Sequence, residues 1–225
     1  MTNETPQSPP FWPSRRLWLK LLLAAIYVPF LFGLLLALFV IGLFSSSDAQ
    51  YAYGVAFLAI LVGGPILVSI FLSPSWRGVG AGLLAMLSVL LVLSVVGYLV
   101  EDAPDIIGEA LGFTLIAGSG VSIIEVVTRD VRERRGLAGL GVGLVAGFLL
   151  SLAYAYVFYP YSPRADIPRV NEWLFMIGWS AYFALVWLST FFFPELFTRR
   201  VGWGGVVVWA GLVGLVFGVS FVLMK

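Results

Sequence analysis

The chain has 225 residues, 60% of them hydrophobic and 11% charged, with 13 Lys+Arg against 12 Asp+Glu for a formal net charge of +1. Its mean hydropathy is +1.01, and a soluble domain of this length would carry about 25% charged residues to cover its surface, so a water-soluble globule is excluded. The absence of Cys and His further excludes disulfides, thiolate and imidazole metal ligation, Cys nucleophiles and His general bases.

Residues 1–16 form a polar, Pro-containing tail ending in Arg15 and Arg16, which is read as disordered. Beyond it, predominantly apolar runs long enough to cross a hydrocarbon core of about 30 Å recur seven times, at 17–44, 52–73, 79–100, 106–127, 137–159, 173–193 and 201–224. The expected fold is therefore an all-α integral membrane protein, a single bundle of seven transmembrane helices over 17–225. The runs are about twice the length of barrel strands and do not alternate, so helices are preferred to a β-barrel. The first run spans 28 residues, longer than the apolar stretch of a secretory signal, so it reads as a retained span.

The second run contains Gly63-Gly64-Pro65 near its middle. Pro65 has no N–H to give Leu61, and the two glycines lower the resistance to bending, so a kink is expected there. Interrupted helices of this kind often lie beside the substrate of a transporter, and equally serve to fit one helix against another. Pro29 in the first run and Gly118-Ser119-Gly120 in the fourth are further soft points.

The connection between runs three and four, EDAPDIIGE, places Glu101, Asp102, Asp105 and Glu109 within nine residues. Such a cluster reads first as the solvated residues that a short loop needs. A functional reading makes it a vestibule that concentrates cations, or makes Glu109, about one turn inside the fourth helix, a proton-coupled carboxylate. A third reading is a divalent-metal site for a lipid-modifying enzyme: the spacing of Asp102, Asp105 and Glu109 is similar to the aspartate-rich motif of membrane prenyltransferases. Those enzymes need a second acidic motif, and here the other acidic pair, Asp130 and Glu133, stands among arginines on the opposite side, while Pro104 interrupts the helix. Membership of that family is not inferred, and no metal or other cofactor is assigned.

Ser119, Ser122 and Glu125 give the inner half of the fourth run a polar strip, making it the first choice for a helix that faces a cavity. Glu125 is expected to pair with Arg129 one turn later, as a satisfied end charge. Glu109 and Glu125 are about 24 Å apart along the axis and cannot form one site. The fifth run carries Gly139, Gly143, Gly147, Ser151 and Ala155 at every fourth position, a flat ridge for close helix packing or for docking a second copy or another membrane subunit. Gly78 with Gly82, Gly108 with Gly112, and Ala210, Gly214 and Gly218 are shorter versions. FPELFTRR is read as the connection between runs six and seven.

With the N-terminus in the cytosol, ten Lys and Arg fall on that side, among them the four arginines of TRDVRERRG, and three fall on the other: Arg164, Arg169 and Lys225. The asymmetry points to N-terminus in and C-terminus out. Trp12, Trp18, Trp76, Trp173, Trp203, Tyr51, Tyr98, Tyr159 and Tyr161 stand near run ends as interfacial anchors. Neither lysine in the body of the chain lies in the last run, which excludes a retinal Schiff base there, and no phosphate-binding or nucleophile-elbow motif occurs. The sequence thus leads to a multi-pass protein of the plasma membrane, first a small-solute or cation transporter, channel or permease component. The alternative is a non-catalytic accessory subunit of a larger membrane complex. The bilayer is the expected partner, and nucleic acid is not.

Overall fold

The computed structural model describes residues 14–20, 22–23, 63–99, 105–129, 133–158, 172–199 and 203–223. Among the described residues all regular structure is α-helix: α1 (helical residues 15–20 and 22–23), α2 (Gly63–Leu72), α3 (Trp76–Leu99), α4 (Asp105–Arg129), α5 (Arg134–Phe158), α6 (Glu172–Arg199) and α7 (Trp203–Leu223). Three of these, over Trp76–Tyr98, Ile106–Arg129 and Arg134–Val157, are long and apolar enough to cross a membrane.

The outward face of α3 shows why the solvent there must be apolar. Leu83, Leu84, Leu87 and Leu91 are between 47% and 68% exposed, a stripe that water would drive into aggregation and that lipid tails accept at no cost. Trp76 and Tyr98 at the two ends of the same helix are still more exposed. They lie about 33 Å apart along the axis at about 1.5 Å per residue, close to the thickness of a hydrocarbon core with its aromatic belts.

The helix α4 is the centre of the bundle, touching α3, α5 and α6, and half of its span is buried against 28% for α3. Its Gly118-Ser119-Gly120 does not break the helix, which is continuous from Asp105 to Arg129. These glycines instead mark where neighbours come close. A Cβ on Gly118 would strike Leu144 of α5, and one on Gly120 would lie 3.1 Å from Val89 of α3 and 3.7 Å from Pro65 of α2. Gly63-Gly64-Pro65 opens the described part of α2, so the bend expected there, which concerns the turn before it, lies outside the described residues, as does Pro29.

The fifth-helix ridge is used within the chain. Cβ atoms on Gly139 and Gly143 would lie 2.8 Å from the carbonyl oxygens of Phe193 and Ser189, and one on Gly147 would lie 3.4 Å from Val186. The backbone of α6 therefore lies directly on α5, the close approach that small residues permit. Ser151, 1% exposed, turns toward α4 and meets the Thr114 hydroxyl at 3.2 Å. Gly82 allows α2 the same intimacy with α3, with Ile66 Cα 2.8 Å from a built Cβ. In contrast, nothing lies within 4 Å at Gly211, Gly214 and Gly218 of α7 among the described residues.

Two element ends differ from the sequence reading. The first helix begins at residue 15, inside the expected tail, because the Ser14 hydroxyl accepts the Leu17 N–H at 3.2 Å and caps it. The sixth runs on to Arg199, through Pro194 and the segment read as a connection. Proline interrupts helices mainly by freeing a carbonyl, here that of Thr190, and packed membrane helices tolerate this where water-soluble ones do not. Ser189, Thr190 and Thr198 return their hydroxyl hydrogens to carbonyls four residues earlier, at 2.6 to 2.8 Å, so these donors are satisfied within the helix.

The core joins Leu17 of α1, Val68 of α2, Ala117 and Val121 of α4, Tyr154 of α5 and the Val186–Leu188 and Phe191–Phe192 stretch of α6. From α7, Trp209 stacks on Phe192 at 5.9 Å and meets Phe193 edge-on at 5.4 Å.

Replacing Gly143 by Ala should lower thermal stability in detergent by about 1–3 kcal/mol, since the added methyl would press on backbone rather than on a yielding side chain. Gly141→Ala, where nothing lies within 4 Å, should leave stability unchanged or raise it by up to about 1 kcal/mol. Equal effects at the two positions would contradict the α5–α6 packing.

Candidate functional site

Charges concentrate where α1 begins and α4 and α6 end. Glu125 lies one turn before the last residue of α4, and Glu195 one turn before the last residue of α6. Lys20 reaches them from α1. All three are essentially removed from solvent, at 1%, 0% and 2% exposure for Lys20, Glu125 and Glu195, where isolated charges would cost many kcal/mol.

The cluster is built as a chain of pairs. Lys20 Nζ forms an ion pair with Glu125 Oε1 and lies 4.8 Å above the ring of Phe191, which adds a favourable cation–π contact. Arg129 Nη2 donates to Glu195 Oε2 at 2.6 Å and to the Thr198 hydroxyl at 2.7 Å. Arg129 Nη1 stands 3.6 Å from Glu125 Oε2. The expected i, i+4 pair is therefore present but long, and each member has its tighter partner on another helix. The Ser14 hydroxyl donates to Glu195 Oε1 at 2.6 Å, and Arg16 Nη2 donates to the Thr128 hydroxyl at 2.9 Å.

Two cations and two carboxylates sum to zero, which allows the group to sit in a low-dielectric setting at all. The position also suits the ions, because one turn from a helix end the alternative to pairing is water at the membrane surface, not hydrocarbon. The group links three helices through ion pairs and hydrogen bonds.

The sequence-predicted residues are distributed elsewhere. Glu101 and Asp102 lie outside the described residues, and Asp105 is the first residue of α4. Glu109 is half-buried one turn into that helix, at the opposite end of α4 from the ion pairs. Among the described residues no three His, Cys, Asp or Glu gather closely enough to hold a metal ion. Ser119 spends its hydrogen on the Ile116 carbonyl at 3.1 Å. The Ser122 hydroxyl is buried with no hydrogen-bond partner among the described residues, one turn from Glu125. Gly64 and Pro65 are buried against α4, and Gly139, Gly143 and Gly147 serve the α5–α6 contact described above.

The reading from sequence missed Lys20 and Glu195 as site residues. In the sequence Lys20 bears on topology and on the exclusion of a retinal Schiff base, and Glu195 falls in the expected connection FPELFTRR. The available signal was Lys20 itself, a cation three residues inside an apolar run (LWLKLLL), which requires an acidic partner at the same end of the bundle.

A double-mutant cycle tests the central pair. Glu125→Leu alone should cost about 3–5 kcal/mol, because the buried Lys20 is left uncompensated, Lys20→Met should cost less, because Arg129 stands 3.6 Å from the carboxylate it frees, and the two together should be nearly neutral. Additive losses would show that the pair is not coupled. Comparison of the chain with protein-family models, with curated proteins and with solved structures finds no match.

Proposed function

We propose that this chain is a seven-span plasma-membrane protein with its N-terminus in the cytosol, and that it moves a small solute or cation across the bilayer. The observation that carries the transport reading is the buried Lys20–Glu125–Arg129–Glu195 cluster. A bundle held together only for structure has no need of four ionised groups in its interior, since apolar residues of similar size serve as well or better. Ionisable groups within membrane helices most often mark a path or a moving contact.

The same cluster supports the topology. It joins the start of the first helix to the ends of the fourth and sixth, which is what strict alternation demands, since an even number of crossings returns the chain to its starting side. The exposed arginines Arg15, Arg77, Arg134 and Arg135 belong to segments that alternation assigns to that side, in keeping with a cytosolic face. EDAPD then faces outward, where its carboxylates form a vestibule for cations. A cysteine introduced beside Asp105 should react with an impermeant reagent on intact cells. Reaction only after lysis would invert the orientation and remove the vestibule.

Flux through the purified chain in proteoliposomes, over a panel of monovalent cations, divalent cations and small neutral solutes, tests transport directly. At least one species should cross, and Glu125→Gln should change its rate by about tenfold or more. No flux above empty vesicles for any species would sink the reading. The accessory-subunit alternative is favoured by one feature, Ala210, Gly211, Gly214 and Gly218 of α7, which are exposed among the described residues. It predicts a stoichiometric membrane partner that is lost on Gly214→Leu.

A further inference from the structure

Among the described residues, one short segment ties the first helix to this end of the bundle. Ser14 holds Glu195, Arg16 holds Thr128 and Lys20 holds Glu125, with Leu17 seated between them at 0% exposure. The ties that join α4 to α6 use a different cation: Arg129 bonds Glu195 and Thr198 with no atom of α1 between them. The two interfaces share carboxylates but not cations, so one can be released without dismantling the other.

Arg129 also supplies the alternative partner that release requires. Its Nη1 already stands 3.6 Å from Glu125 Oε2, too far for a strong hydrogen bond and near enough to become one with a small rotation of either side chain. When Lys20 withdraws, Glu125 therefore passes to Arg129 and no carboxylate is left alone in the interior. Lys20 for its part lies one to two turns from the start of α1 and gains water as it leaves. A permanent staple would gain nothing from this exchange of partners. An apolar seam would hold at least as well.

We propose that residues 14–20 form a releasable clasp, closed by Lys20–Glu125, Arg16–Thr128 and Ser14–Glu195, which swings the start of α1 away from α4 and α6 while Arg129 takes over Glu125. The clasp follows from the partner geometry and does not depend on transport, so a chain that carries no solute in vesicles can still possess it.

The absence of native cysteine makes the test clean. Spin labels at Trp18→Cys on α1 and Leu137→Cys on α5, both exposed positions, report the separation of the clasp from the body of the full-length protein in lipid nanodiscs. The native background should give a dominant short distance. Glu125→Gln, which leaves Lys20 without its carboxylate, should raise the ratio of the longer to the shorter distance by about tenfold or more. The charge-free pair Lys20→Met with Glu125→Leu should hold the short distance alone. An unchanged distribution in a folded Glu125→Gln protein overturns the proposal.

Should that variant not fold, Leu17→Cys in the otherwise native chain decides. Slow but complete reaction with a water-soluble maleimide, behind the fast reaction of Trp18→Cys, supports release. Full protection of Leu17→Cys over hours while Trp18→Cys reacts overturns it.

Discussion

The constraint on which this structure depends is that ionised groups withdrawn from water must be neutralised by one another. Four of them meet where α1, α4 and α6 converge, and the rest of that end is arranged around their pairing. Glu125 and Glu195 each lie one turn inside a helix end. Lys20 is drawn in from the first helix, Phe191 offers its ring face to the ammonium, and the Ser14, Thr128 and Thr198 hydroxyls take the remaining bonds. Removal of Glu125 would leave Lys20 buried and uncompensated, and the register of three helices is tied to a single group of side chains.

Away from this end a different force prevails. Lipid does not squeeze helices together as water does, so contact area has to come from close backbone approach and from hydroxyls that satisfy themselves. The α5–α6 pair achieves the first through Gly139, Gly143 and Gly147. The second is seen in Ser189 and Thr190, which bond their own helix and so can be buried without a partner elsewhere. The bundle thus has a closely packed body of α4, α5 and α6, and at one rim α1 joins it through ion pairs and the buried Leu17. The proposed clasp is the consequence of that division between tight glycine-mediated packing and exchangeable charge.

Much of this was legible before any coordinates. Composition named the solvent, and the lengths of the apolar runs place the starts and ends of α3, α4, α5 and α7 within about three residues of their observed positions, because in hydrocarbon the backbone has few alternatives to the helix. The ridge of the fifth helix was visible as a four-residue repeat. Pro194 misled the reading of the sixth helix, since its cost depends on packing around it that the sequence does not display. The acidic run at 101–109 drew attention for its density, yet close spacing along a chain says little about burial, and the charges that are buried come from three separate helices.

The sequence by itself determined that the chain lives in a membrane, that it is helical, and where its small-residue surfaces lie, because these follow from local composition and periodicity under a fixed solvent. Which charges pair was decided only by the tertiary structure. Lys20, Glu125 and Glu195 are more than 60 residues apart along the chain, and opposite charges at such separations become partners only when helix order and rotation bring them to the same depth and face.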